Sequence, residues 1–224
     1  MSIQNEPFPA LSGAFPASDG LGPAPAAATG VSVKRVLDVF LSLTGFFVFL
    51  PVLAIILVAV VLDSPGPALF RQRRVGQYGK VFNIYKFRSL HVLEDDADMV
   101  QACQGDARIT RLGKFLRVTS LDELPQLLNV LAGDMSLVGP RPHAVAHDEY
   151  YSGRIENYRL RHLVKPGITG WAQVNGARGG TPRLCDMQAR IDLDVYYVER
   201  ESLWLDLQIL ARTPFEVARR RNAF

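Results

Sequence analysis

Between Val39 and Leu62 the chain runs through "VFLSLTGFFVFLPVLAIILVAVVL" without one charged side chain. A helix over this stretch exceeds the ~20 apolar residues needed to cross a hydrocarbon core about 30 Å thick. Backbone amides in lipid must find partners within their own segment, so a helix is the form such a stretch takes there. The question it raises is whether the helix crosses the bilayer or dips into one face.

Two features favour the dip. Pro51 lacks an N–H and its ring clashes with the preceding turn, which predicts a break. The arms, 36–50 and 51–62, would be roughly 22 and 18 Å long at 1.5 Å per residue, too short to cross singly. The second feature is charge. Lys34 and Arg35 precede the stretch, and Arg71, Arg73, Arg74, Lys80, Lys86 and Arg88 follow it. Basic flanks prefer the cytoplasmic side, and a re-entrant helix keeps both there. Kinked spanning helices also exist, so a single crossing is the alternative. Ser42 and Thr44 can help satisfy the bend, and Asp38 either pairs with Lys34 or Arg35 or serves as a helix N-terminal carboxylate.

The 224 residues suit one domain with appendages, and the formal charge is +3. That mild basic bias fits a membrane surface, a phosphate-bearing substrate or a nucleic acid without choosing among them. Cys103 and Cys185 have no metal-ligand spacing and are read as reduced thiols. The four histidines give no zinc pattern. Residues 1–30, rich in Ala, Pro, Gly and Ser, are expected to form a disordered tail rather than a signal peptide.

Past Leu62, "ALFRQRRVG" and "KVFNIYKFRSL" alternate apolar and basic residues around a "GQYGK" turn, which predicts a β-hairpin. Phe82 and Ile84 would pack while Lys86 and Arg88 project the other way, into solvent or onto anionic headgroups. "VLEDDADMV" (92–100) reads as a solvated acidic helix face. "DARITRLGKFLR" (106–117) reads as an amphipathic helix suited to the membrane interface, with Ile109, Leu112, Phe115 and Leu116 on one side.

"VTSLDELPQLLNVLAGDMSLVGPRP" then sets Asp122 and Glu123 just before an apolar helix. Ser120 and Glu123 fit a capping box, Pro125 suits the first turn and Gly133 the stop. Both carboxylates therefore read as capping groups. A helix N-terminus also attracts phosphate, and a carboxylate held ionised there is placed as a nucleophile toward phosphorus. Arg141, fixed between Pro140 and Pro142, suits a phosphate. The stretch 159–180 predicts a long functional loop with Trp171, Gln173 and Asn175 available to a base or sugar. The remainder reads as helix, break, helix.

As a set, "KRVLDVFLSL", "IYKFRSL", "SLDELPQLLNVLAGDMSLVGPRP", "KPGITGWAQVNG" and "LDVYYVERESLWLDLQIL" resemble the bacterial sugar transferase family. These are the monotopic phosphoglycosyl transferases, or polyprenyl-phosphate sugar-1-phosphate transferases. The likeness spans roughly residues 33–215 and is strongest to the compact exopolysaccharide-production members. It implies a mostly helical α+β fold. Residues 31–63 would form a re-entrant anchor broken at Pro51, and 64–224 a cytoplasmic catalytic domain with a small hairpin and interfacial helices. It implies transfer of a hexose 1-phosphate, galactose or glucose, from a UDP-sugar to undecaprenyl phosphate at the inner face of the bacterial cytoplasmic membrane. Asp122 would be the nucleophile and Glu123 a ligand for Mg²⁺ or a positioner of the acceptor. Lys86 and Arg141 would meet phosphate, and Asp194 a polar network or metal. Many members carry Ser before the proline where this chain has Leu50. Inner-leaflet lipid and a homodimer are the expected partners, and nucleic acid is not. The rival readings are a membrane-anchored glycosyltransferase that releases UDP, and a non-enzymatic adaptor.

Overall fold

The computed structural model describes residues 32–91, 106–181 and 183–219. The expected tail, the acidic stretch 92–100 and Cys103 lie outside the described residues. The fold is mostly helical with two small two-stranded sheets.

Helix α1 (Val33–Asp63) begins at Ser32, whose Oγ accepts the Arg35 N–H at 3.2 Å. The expected break at Pro51 is absent: the helix runs through it for 31 residues. One proline removes one backbone bond, and the apolar turns on both sides carry the helix past it. A stripe spaced three or four residues apart, including Asp38, Ser42, Ile56 and Val60, is buried on the rest of the protein. The other faces stay apolar and open, with Phe47 63% and Ile55 68% exposed.

Both ends of α1 are tied to the same body. At the start, Lys34 Nζ donates to the Val138 carbonyl (3.2 Å), the Tyr197 hydroxyl (3.0 Å) and Asp206 Oδ2 (2.5 Å). Arg35 donates to the carbonyls of Val130 and Leu131. Asp38 pairs with neither Lys34 nor Arg35; its Oδ1 accepts the Leu137 N–H at 3.0 Å, joining the anchor to a strand. At the end, Ile56 and Val60 pack with Phe87 and Leu116. Arg88 donates to the carbonyls of Val60 (3.1 Å), Ser64 (2.6 Å) and Pro65, the orphan acceptors of a helix terminus.

Strands β1 (Leu69–Val75) and β2 (Val81–Phe87) form the expected antiparallel hairpin, with Gln72 opposite Ile84 and Arg74 opposite Phe82. The facing differs from expectation. Phe82, Ile84 and Lys86 share a face by strand alternation, so Lys86 points inward with the packed pair. Phe87 is buried on the other face, and Arg88 is buried at the end of α1 instead of meeting lipid headgroups.

Helix α2 (Arg111–Thr119) starts later than the amphipathic pattern suggested, because Thr110 Oγ1 caps it from the Gly113 N–H at 2.8 Å. Ile109 bridges to Leu90 instead. Leu116 is fully buried while Phe115 is 57% exposed, so the two do not share a face. Gly113 is required, since a Cβ there would collide with the Ser89 carbonyl.

A 3-10 turn (Leu121–Gln126) leads into α3 (Leu127–Ala132), which Gly133 ends with φ +93°. Strand β3 (Ser136–Val138) pairs in parallel with β4 (Gly167–Thr169). Between them lie α4 (Val145–Ser152) and a 3-10 turn (Tyr158–Leu163). The expected long loop is therefore mostly ordered, because Ile168 and Thr169 extend it into a strand and α5 (Trp171–Val174) follows directly. Helices α6 (Leu184–Glu199) and α7 (Leu203–Ala218) match the helix–break–helix reading. Their core joins Val138, Val164, Val174, Tyr197 and Ile209. The exposed Cys185 is a free thiol.

Arg88→Met removes three bonds to the end of α1 and leaves its carbonyls unmet. The expected loss is roughly 3 kcal/mol of stability, read as a lower urea midpoint in detergent micelles.

Candidate active site

The 3-10 turn after α2 sets the centre of the site. Ser120 takes φ 58°, a left-handed conformation that reverses the chain out of α2. The capping box expected here does not form. The Ser120 Oγ accepts from Arg178, and the Glu123 side chain turns away from the Ser120 backbone. Glu123 Oε1 instead accepts from Lys86 Nζ at 2.7 Å and from Arg141 Nη2, and its Oε2 from Arg141 Nη1 at 3.0 Å. A lysine on β2 and an arginine from the Pro140–Pro142 segment thus grip one carboxylate.

The two carboxylates therefore differ. Burial disfavours ionised Glu123, but Arg141 and Lys86 overcome it and hold the group well below the usual carboxylate range. Asp122 is buried too, and its carboxyl is pushed up to about 6. Burial is the main cause and the charge of Glu123 the next; Lys86, Arg117 and Arg141 oppose them. Burial also lowers Lys86 despite Glu123, whereas Glu123 raises Arg141. One carboxylate is locked as an anion, while its neighbour titrates just below neutrality.

Both line a cavity of about 1230 Å³, together with Lys86, Arg141, Gln173 and Arg178. That volume exceeds the ~300–1,000 Å³ typical of small-molecule sites and leaves room for two ligands meeting at one point.

The structure brings Asp122, Glu123, Lys86 and Arg141 together and spreads the other expected residues. Gln173 lines the cavity, donates to the Ile168 carbonyl at 3.0 Å and leaves its Oε1 without a partner. Trp171 is not among the lining residues. It stacks on Tyr196 (5.4 Å, 16°) beneath Arg212 and packs against the Val138–Ile209 core. Asn175 is not there either; it bonds the Trp171 carbonyl at 2.8 Å and accepts from Arg212. Asp194 stands behind the site, paired with Arg161 at 2.9 Å, and Arg161 in turn donates to the Arg141 carbonyl. Pro51 lies on the open side of α1.

Sequence reasoning missed Arg74, His143, Arg178 and Arg190, all of which line the cavity. Arg74 was legible by parity, since register places it opposite Phe82 on the inward face, unlike Arg71 and Arg73. Arg190 sits between Met187, Ile191 and Asp194 on the buried side of α6, where an arginine is unusual.

Among the described residues no three His, Cys, Asp or Glu side chains cluster as a metal site. Glu123 is a poor metal ligand, because two cations already occupy its oxygens. Mg²⁺ takes one or two carboxylates and completes its shell with water and substrate phosphate. Asp122 is the carboxylate that fits that demand.

The family model of bacterial sugar transferases matches residues 29–220. The chain belongs to the bacterial sugar transferase family. This sugar transferase is 53% identical over 184 residues to the UDP-glucose:undecaprenyl-phosphate glucose-1-phosphate transferase of Escherichia coli strain K12, covering 82% of this chain and 40% of that protein. It is 52% identical over 203 residues to the protein of the same description from Caulobacter vibrioides, covering 91% and 76%. It is 44% identical over 196 residues to the exopolysaccharide production protein PSS of Rhizobium leguminosarum bv. phaseoli, covering 86% and 98%. The transferase thus spans less than half of the Escherichia coli relative and nearly all of the Rhizobium one.

Ionisation of Asp122, followed by carboxyl ¹³C resonance, is expected at a midpoint of about 6. Lys86→Met removes a charge that lowers it and should move the midpoint upward. A midpoint near the ~3.9 of a free aspartate in both proteins would refute the assignment.

Proposed function

We propose that this sugar transferase moves a hexose 1-phosphate, most simply glucose 1-phosphate, from a UDP-sugar to undecaprenyl phosphate and releases UMP. The names of its relatives in Escherichia coli and Caulobacter support the donor and acceptor. The observation that carries the chemistry is the division between two adjacent carboxylates. Glu123 is consumed by Lys86 and Arg141, whereas Asp122 faces the cavity with no hydrogen-bonded cation of its own.

In the first step Asp122 Oδ attacks the β-phosphorus of the donor. The bond from that phosphorus to the bridging oxygen breaks, and UMP departs with the electron pair. In the second step an oxygen of the lipid phosphate attacks the same phosphorus. The bond to Asp122 breaks and the carboxylate is restored, leaving sugar on a lipid diphosphate. Splitting one displacement into two predicts ping-pong kinetics. Lys86, Arg141 and the neighbouring Arg117 and Arg178 stabilise phosphate charge as it shifts toward the leaving oxygen. Mg²⁺, when bound, would be held by Asp122 and would offset part of the donor's phosphate charge.

The same reading places the anchor in one leaflet. The two ends of α1 are bonded to one body, at Lys34–Asp206 and at Arg88–Ser64, and both flanks are basic. The buried stripe rests on protein while Phe47 and Ile55 are exposed, which suits contact with acyl chains. Such a placement sets the cavity beside headgroups, where the acceptor's phosphate lies.

Purified protein with Mg²⁺, undecaprenyl phosphate and a panel of UDP-sugars should release UMP, not UDP, and Asp122→Asn should lose that release by at least about 10³-fold. Without lipid, intact-mass measurement should find one phosphosugar on Asp122 of the wild type and none on the variant. Wild-type release by Asp122→Asn would favour the adaptor, and UDP the glycosyltransferase. Cysteines placed at Ser32 and Asp63 should both label from the cytoplasmic side; labelling from opposite sides would refute the single-leaflet placement.

A further inference from the structure

Several polar atoms on the cavity wall are buried with nothing to bond, Arg88 Nε among them. His143 Nε2 and Arg74 Nε are buried without a partner, and both residues line the cavity. A buried N–H left unmet is costly, and native structures keep few of them without a reason.

The proton on His143 is fixed by its neighbours. The ring is 5% exposed, and its Nδ1 lies 2.6 Å from Arg161 Nη1 and 2.6 Å from the Tyr158 hydroxyl. A guanidinium has donors only, so Nδ1 must accept. The proton of the neutral ring therefore sits on Nε2. Arg161 is itself held by Asp194 and the Arg141 carbonyl, so this tautomer is imposed from behind. Burial, with Arg161, Arg190 and Arg74 adding to it, keeps the imidazole well below its ordinary value and hence neutral.

Charge accumulates around this ring without a hydrogen-bonded carboxylate at Arg74 or Arg190. Arg74 donates to the Pro142 carbonyl at 3.0 Å and to Gln72, which leaves Nε. Arg190 donates to the carbonyls of Ala177 (3.1 Å) and Gly179 (2.6 Å). Burial brings both guanidinium groups down to about 10, and the charge of Arg141 contributes to each. An anion would meet the free N–H groups and relieve that repulsion together.

We propose that Arg74, His143 and Arg190 form a second phosphate-binding subsite of the cavity, beside the Asp122–Glu123 centre. The subsite differs from the centre because Lys86 and Arg141 both hydrogen-bond Glu123, whereas Arg74 and Arg190 donate only to carbonyls and an amide. Pro140 and Pro142 keep the intervening chain extended, so Arg141 and His143 stand about 6.6 Å apart at ~3.3 Å per residue. The assignment rests on the phosphoryl-transfer reading for its ligand class. The phosphate comes either from the diphosphate of the nucleotide sugar or from the lipid acceptor, and the same donors would take both.

The test uses the full chain in nanodiscs with inorganic pyrophosphate as the probe. In ¹⁵N-histidine-labelled protein, the His143 signal (identified by its loss in His143→Phe) should show Nε2–H and shift on titration. Calorimetry should find pyrophosphate affinity reduced about tenfold or more in His143→Phe. His143→Gln, which keeps an amide N–H near the same place, should restore most of it. An Nδ1–H tautomer, or equal affinity in all three proteins, would overturn the subsite. In turnover, His143→Phe should raise KM for only one substrate: the UDP-sugar if the donor's phosphate binds here, undecaprenyl phosphate if the lipid's does. Unchanged KM for both would also overturn it. Pyrophosphate binding as expected in a protein that turns over no UDP-sugar would sink the proposed function and leave the subsite standing.

Discussion

Everything at the centre of this protein depends on Glu123 being shared by Lys86 and Arg141. The three residues come from β2, the 3-10 turn and the Pro140–Pro142 segment, so one carboxylate fastens three stretches of chain. Removing one member of such a buried set costs about 3–5 kcal/mol, because the remaining charges lose their compensation. The same grip has an electrostatic consequence. A locked anion next door makes it harder for Asp122 to ionise, while the cations beyond make it easier. The result is a carboxyl at about 6, ionised at neutral pH yet not tied up. Adjacent acids on one turn would be redundant as helix caps; as a fastener and a reactive group they are complementary.

Much of this was legible in the chain. The uncharged stretch between Val39 and Leu62 announced the long apolar helix, the alternation around "GQYGK" announced the hairpin, and Pro125 with Gly133 bounded the segment after the two acids. What failed were judgements that need a third dimension. Ser120 with Glu123 satisfied a local capping rule, but a tertiary ion pair outcompeted it. Lys86 was assigned outward because it is charged, although strand parity puts it with Ile84. Trp171 and Asn175 were read as ligand contacts from composition, yet Trp171 is a core and stacking residue and Asn175 braces its backbone. Pro51 was given the power to break a helix that long apolar turns on each side sustain.

The anchor and the chemistry are also closer than sequence distance suggests. Arg88 clasps the end of α1, and two positions earlier, on β2, Lys86 holds Glu123. Asp38, 99 residues from its partner in sequence, fastens the other half of the helix to β3 through Leu137. Displacement of α1 would therefore be felt at β2 and β3, the strands on either side of the Leu121–Gln126 turn in chain order.

The clasp at the start of α1 has a consequence for how the protein comes to exist. Its partners are Val130, Leu131, Val138, Tyr197 and Asp206, as many as 172 residues downstream of Lys34. A ribosome delivers the greasy helix long before it delivers what receives it. During that interval the nascent chain holds an unsatisfied aspartate and two cations at the edge of an oily rod. The bonds that fix the start of α1 on the rest of the protein can therefore all form only once synthesis has passed Asp206.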